Sequence, residues 1–456
     1  MAAWVETRYP VALFFAAVLG ILLLQPRIEV SDSDAEAYLL GAQSLREGRG
    51  YVDRLGDPLN HWPPGYSMLL SLTPEPKLAA LVLNYIAFGI AVVLLESLAR
   101  FSGWTRVQAA ALSTALGFGL LRHLAVAAKP DILSYALFLL GIHMYLRDES
   151  RWRILACFVW AALIPLKLVA LVFAPGVLLS SMCRQGAAPF LKARWKECLI
   201  AGCFWLLFFG GSLLFNQVTI HAWVAASHAQ PTLESLANEA IRFGTSFFRA
   251  GLACWYGSIR PLSIMIPFAL VLIVGGVCLL GLRRSSRGLD LRWMGASLLA
   301  LSWMLEGVQQ FYADPRLMGY GMLLILVGLE PRSGTIPVWL VYAGVTIGLA
   351  VYNSLTVVRL GVNHPQYELV AKQAAQVIPH DQKVYTNTHR ILDLHSAIPS
   401  QTVATLDGLP VGSWYFEATM PNYDAIARPI GFPPERDVSW IKMASFDGAT
   451  LYRKGM

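Results

Sequence analysis

Two carboxylates near the start of the chain have the residue type and spacing for proton transfer. Asp32 and Asp34 stand in the segment S-D-S-D-A-E that follows the first apolar run. Ser33 and Glu36 match an S-x-x-E capping box, which predicts that a helix begins here with Asp34 in its first turn. The helix dipole favours an ionised carboxylate, which can accept a proton from a hydroxyl group. The alternative is that both acids only cap the helix.

A rigid aromatic turn, H-W-P-P-G-Y at residues 61–66, follows in the same polar loop. Two prolines and a glycine fix its course, and Trp62 and Tyr66 suit a membrane interface. We expect His61 to contact a substrate, or else the turn only anchors the junction between the loop and the next helix.

Three cations lie at the ends of apolar runs that we assign to the outer side of a membrane, where the positive-inside rule disfavours them. They are Lys129, Lys167 and Arg316. A phosphate group at the bilayer surface would account for them, since lysine offers a point charge and arginine a bidentate fork. Asp131 and Tyr312 are expected substrate contacts nearby. Snorkelling, or pairing with neighbouring aspartates, is the alternative.

The amino-acid composition indicates which class of protein this is. The chain is 56% apolar and 14% charged, against roughly 25% charged in ordinary soluble domains. It is therefore predicted to be a polytopic α-helical membrane protein. The six cysteines contain no C-x-x-C pair, so neither a disulfide framework nor a zinc site is expected. No cofactor is predicted, and a divalent metal has no support from ligand spacing.

About eleven transmembrane helices are predicted from apolar runs of suitable length. They cover residues 9–25, 78–99, 107–124, 131–146, 153–165, 168–182, 198–216, 261–282, 293–311, 317–330 and 335–356. Lysine and arginine collect in alternate connections, which are assigned to the cytoplasm. The protein is thus expected in the inner or plasma membrane, with a cytoplasmic N-terminus. The same distribution makes the basic residues topology signals and argues against nucleic acid.

Two further elements are predicted outside the spans, on the extracytoplasmic side. The first outer loop, residues 26–77, should contain an amphipathic helix lying in the membrane interface. From residue 359 the composition becomes soluble, which predicts a small α/β domain over 359–456 after a membrane module over 1–358. A helix is expected at 365–378, and strands at 383–388 and 414–418.

These motifs, in this order, resemble the GT-C superfamily of polyprenyl-phosphate-dependent glycosyltransferases, in particular the protein O-mannosyltransferase and aminoarabinose transferase group. The resemblance covers about residues 1–356. It rests on D-x-x-x-Y-x-x-x-A at Asp34, Tyr38 and Ala42, on G-R-G-Y at 48–51, and on the Pro-Pro turn at 63–64. One departure is that the acidic D-E pair of the mannosyltransferases is Asp34-Ala35 here.

The resemblance implies inverting transfer of a sugar from a polyprenyl phosphate to a lipid, glycan or protein acceptor on the outer face. Asp34 would be the catalytic base, with Asp32 assisting. The donor phosphate would be held by Lys129, Lys167 and Arg316, and Tyr38 would contact the substrate. A transporter or flippase of lipid-linked sugars is the alternative, although it should show inverted repeats with paired broken helices.

Overall fold

The computed structural model describes residues 2–24, 33–59, 62–220, 286–309, 315–329, 365–379, 382–387, 391–403, 406, 408–418, 439–446 and 448–455. The chain forms two compact units. The first comprises Met1–Arg27, Leu81–Val126 and Pro130–Thr356, and the second comprises Ile28–Ala80, Ala127–Lys129 and Val357–Met456. The predicted domain boundary at 358/359 lies outside the described residues, so it stays a prediction.

Helices account for most of the described chain. In order they are α1 (Ala2–Leu24), α2 (Ser33–Arg46), α3 (Gly65–Ser71), α4 (Pro76–Phe101), α5 (Arg106–Leu116), α6 (Arg122–Val126), α7 (Asp131–Tyr145), α8 (Ser150–Ala162), α9 (Phe173–Gln185), α10 (Ala187–Ile220), α11 (Ser286–Gln309), α12 (Pro315–Val327), α13 (Pro365–Val377) and α14 (Ile391–Ser396). A π-helical segment, Gly117–Leu121, joins α5 to α6, and a 3-10 segment, Leu168–Val172, leads into α9.

Three segments of the described chain are helical, long and apolar enough to cross a membrane: Pro76–Phe101, Leu168–Gln185 and Ala187–Thr219. Shorter apolar helices cover Tyr9–Leu24 and Asp131–Tyr145. These helices overlap predicted spans and fit insertion in a membrane. The predicted spans 261–282 and 335–356 lie outside the described residues, so the count of eleven stays a prediction.

The first unit is held together by an aromatic core and by close contact of helix backbones. The rings of Tyr135 and Tyr320 stack with centroids 3.8 Å apart, and those of Phe138 and Phe173 lie 4.7 Å apart. Helices α11 and α12 approach so closely that a Cβ on Gly295 would lie 2.5 Å from a carbonyl oxygen of α12. Small residues at such crossings are typical of packed membrane helices.

The second unit contains a five-stranded mixed sheet in the order β2-β1-β3-β5-β4. Its strands are β1 (Val384–Thr386), β2 (Ser400–Thr402), β3 (Trp414–Ala418), β4 (Trp440–Phe446) and β5 (Ala449–Lys454). Strand β1 runs parallel to β2 and β3, whereas β5 is antiparallel to β3 and β4. The strand expected at 414–418 has these bounds in the structure, and that expected at 383–388 is shorter. Apolar residues of α13 pack with residues of β1, β3 and β5 in one core.

Helix α2, also in the second unit, differs from the predicted amphipathic helix with one polar face. All residues from Ala35 to Ala42 are buried, including Glu36 at 1% exposure. The reason is that the rest of the loop folds back over the helix. The Ser67 hydroxyl donates to the carbonyl of Tyr38 at 2.8 Å, and the rings of Tyr38 and Tyr66 meet edge to face at 5.5 Å.

Candidate active site

The Asp34 carboxylate is held by two donors from distant parts of the second unit. The indole Nε1 of Trp62 donates to Oδ1 at 2.9 Å. The Nζ of Lys129 lies 3.4 Å from Oδ2, and this ammonium is largely buried, with 10% of its side chain exposed against 32% for Asp34. A substrate hydroxyl could therefore reach the carboxylate from solvent. Trp62 and Lys129 fix the orientation of the carboxylate from the buried side.

Local sequence explains why Trp62 lies beside Asp34. The Trp62 amide closes a turn onto the carbonyl of Leu59 at 3.0 Å, and Pro64 occupies the N-cap position of α3. The prolines restrict the backbone before α3, whose residue Tyr66 packs against α2. The rigid turn thus presents the indole to the first turn of α2.

The glycines after Asp34 allow the loop to close on α2. A Cβ on Gly41 would lie 2.3 Å from the ring of Tyr51, so this position has room only for hydrogen. Gly48 and Gly50 have φ of 73° and 90°, a region that glycine enters without strain, and they follow the end of α2 at Arg46. The G-R-G-Y segment therefore returns Tyr51 onto α2.

Electrostatics at Asp34 favour the ionised carboxylate. Asp34 lies in the first turn of α2, where the helix dipole stabilises negative charge. An ammonium within about 4–6 Å acts in the same direction, as does the indole hydrogen bond. The carboxylate is thus ready to accept a proton, although the same stabilisation makes it a weaker base.

A second ion pair lies in the first unit. The Lys167 ammonium contacts Oδ1 of Asp131, the first residue of α7, and the two side chains are 14% and 3% exposed. Lys167 stands just before the 3-10 segment, after the turn that follows the end of α8 at Ala162. Asp131 therefore pairs with Lys167, although Lys129 is its nearer neighbour in sequence.

Several predicted site residues cannot be placed. Asp32, His61 and Tyr312 lie outside the described residues, as does the side chain of Arg316, whose backbone belongs to the first turn of α12. Their roles stay predictions. Within the described chain, no group of three histidine, cysteine or carboxylate residues is arranged to hold a metal ion.

Sequence reasoning missed two features. It did not find that Trp62 and Lys129 both contact Asp34. It also passed over Arg122, which is 3% exposed and directly follows the π-helical segment. π-Helical turns are frequent at functional sites, but only the two glycines at 117 and 119 hint at this one in the sequence.

No family model and no curated protein matches the chain. The crystal structure of ArnT from Cupriavidus metallidurans in the apo state is similar, with a TM-score of 0.50 and 12% identity over 99% of this chain and 98% of that one. The crystal structure of the same enzyme bound to undecaprenyl phosphate has a TM-score of 0.45 at 13% identity, over 98% of each chain.

At this identity the likeness concerns the fold alone. It gives no support to the mannosyltransferase part of the predicted resemblance. The chain has the fold of ArnT over nearly its whole length, and ArnT belongs to the aminoarabinose transferase group that the sequence motifs resemble.

Proposed function

We propose that this protein is an inverting glycosyltransferase that moves a sugar from a polyprenyl phosphate to a lipid, glycan or protein acceptor. The observation that carries the proposal is the Asp34 carboxylate, fixed by Trp62 and Lys129 and one-third exposed. The fold shared with ArnT supports the same class of reaction by analogy. The reaction would take place on the extracytoplasmic face of the membrane.

In the proposed reaction, Asp34 acts as general base. It accepts the proton of the acceptor hydroxyl or amine while the acceptor atom forms a bond to the anomeric carbon. The bond from that carbon to the phosphate oxygen breaks on the opposite side, and its electron pair leaves with the polyprenyl phosphate. A phosphate needs no protonation to leave, so one carboxylate suffices where a glycosidase needs two. Asp32 is proposed only to assist.

The remaining residues are assigned by their environment. Trp62 fixes one oxygen of the base, and Tyr38, which is 5% exposed and packed on Tyr66, is proposed to contact the substrate. Lys129 and Lys167 are proposed to stabilise the charge of the leaving phosphate, each with an aspartate as its partner before the donor binds.

Arg316 is also proposed to bind the donor phosphate. His61 and Tyr312 are proposed to contact the sugar or acceptor.

Turnover by purified protein tests this function. We expect full-length protein in detergent to release polyprenyl phosphate from a polyprenyl-phosphate-linked sugar when membrane lipids and glycans are supplied as acceptors. The label of the sugar should appear in the acceptor with inverted anomeric configuration. Movement of the intact donor across proteoliposome membranes, without release of polyprenyl phosphate, would instead establish a transporter or flippase.

A further inference from the structure

A cleft of about 460 Å³ lies in the second unit, away from Asp34. One wall comes from the C-terminal end of α2 and the turn after it, with Arg46 and Arg54. The other comes from α13 and α14, with Lys372, His395 and Ala397. Twelve residues of helix separate Asp34 from Arg46, or about 18 Å at ~1.5 Å per residue. The cleft is therefore distinct from the proposed catalytic centre.

Two guanidinium groups in this cleft are fixed by carbonyl oxygens. Arg46 donates to the carbonyl of Pro74, and the Nε of Arg54 donates to that of Asp393 at 2.9 Å. These contacts orient both side chains without neutralising them. Among the residues that the structure describes, no carboxylate forms an ion pair with Arg46 or Arg54.

The other charged side chains near the cleft already form ion pairs. The carboxylate of Glu47 lies 2.7 Å from Arg49, and Lys372 lies 2.7 Å from Glu368, which also binds Lys77. Arg46 and Arg54 therefore contribute about two positive charges that are not balanced within the described part of the cleft. A phosphate monoester carries a charge of about −1.5 to −2 and three acceptor oxygens, which match two guanidinium forks.

The α14 side of the cleft contributes the imidazole of His395 and a constrained backbone at Ala397. Burial, and next the charge of Lys77, lower the pKa of His395 to about 4, so its imidazole is neutral and offers both a donor and an acceptor. Ala397 has φ of 60°, and within the described chain it is the one non-glycine residue in this region. Such strain is often kept where a wall must hold its shape for a ligand.

We propose that this cleft binds a phosphate group, with Arg46 and Arg54 as its principal ligands and Lys372 at the rim. The phosphate belongs either to a small soluble molecule or to a lipid headgroup. This inference does not depend on the transferase activity, because binding can be measured without turnover.

Binding of glycerol phosphate to full-length protein in neutral detergent tests the soluble source. Binding of phosphatidic acid in nanodiscs of otherwise neutral lipid tests the membrane source. For whichever ligand binds, we expect Arg46→Gln and Arg54→Gln each to weaken affinity roughly ten- to a hundred-fold, through loss of a charge-assisted contact. Arg54→Lys should retain more affinity than Arg54→Gln but less than wild type, since an ammonium cannot form the two parallel hydrogen bonds of a guanidinium.

Matched variants separate a specific site from general charge attraction. Arg151→Gln removes the same charge from an exposed position that does not line the cleft, and it should bind like wild type. Lys372→Gln changes only an exposed ion pair, so it should fold normally and weaken binding a few-fold. Equal affinity for wild type and the Arg46→Gln/Arg54→Gln protein, or no binding of either phosphate source at millimolar concentration, would overturn the proposal.

Discussion

Lys129 and Asp34 form an ion pair with 3.4 Å between Nζ and Oδ2. They lie far apart in sequence but in the same compact unit, and the ammonium is the more buried partner. We propose that the lysine keeps the base ionised until the donor arrives, and that its charge then stabilises the leaving phosphate. In this proposal the pair links proton acceptance to departure of the phosphate.

This pairing predicts different effects for the two groups that contact Asp34. Trp62→Phe removes one hydrogen bond and retains the aromatic ring, so transfer should fall in kcat with little change in donor affinity. Lys129→Gln should lower donor affinity as well, by roughly ten- to a hundred-fold, because a charge-assisted contact is lost. Steady-state transfer kinetics together with donor-binding isotherms measure both. Unchanged donor affinity in Lys129→Gln would remove this lysine from the phosphate site.

The Lys167–Asp131 pair predicts a stability effect that can be separated from donor binding. Lys167→Ala leaves a carboxylate of 3% exposure without its cation, which should cost about 3–5 kcal/mol. The neutral double variant Asp131→Asn/Lys167→Gln should recover most of that loss in a thermal melt. Its donor affinity should nevertheless stay roughly ten- to a hundred-fold below wild type. Full donor affinity in the double variant would leave Lys167 a purely structural role.

Local features of this site could be predicted from the sequence, whereas contacts between residues far apart in the chain could not. The position of Asp34 follows from local signals, since a capping pattern and the glycines at 48 and 50 mark the two ends of one helix. The partners of the two lysines do not, because they result from tertiary packing that no local pattern encodes. For the same reason Glu36, which looks solvent-facing in sequence, is buried under the returning loop.

Acidification should destabilise the protein through His395. Burial lowers the pKa of this residue from 6.5 to about 4, so between these values the unfolded chain binds a proton that the folded chain does not. Stability is therefore fully present above pH ~6.5 and falls as the pH approaches ~4, by at most about 3 kcal/mol. We expect His395→Gln to flatten this part of the melting-temperature profile.

The carboxylate of Glu368 provides a control for that experiment. Its pKa is lowered to about 2, first by the hydrogen bond with Lys372, so its stabilising effect is lost only between pH ~4.5 and ~2. Glu368→Gln removes that loss, and because the charge of Glu368 raises the pKa of His395, the fall in stability between pH ~6.5 and ~4 should remain at least as steep as in wild type. A wild-type profile that is flat from pH ~6.5 to ~4, or unaltered in His395→Gln, would contradict the assignment.

The role of Asp34 as catalytic base is tested most directly by comparing two Asp→Asn substitutions in the first outer loop. Asp34→Asn removes the proposed base at nearly constant shape, whereas Asp57→Asn makes the same change at an exposed position. Asp57→Asn should keep its melting temperature, whereas Asp34→Asn leaves the largely buried Lys129 ammonium without this carboxylate and should lose some stability, so transfer is compared on folded protein of both variants. We expect transfer from a polyprenyl-phosphate-linked sugar to be abolished in Asp34→Asn and normal in Asp57→Asn. Retention of more than about a tenth of wild-type transfer by folded Asp34→Asn protein would show that Asp34 is not the base.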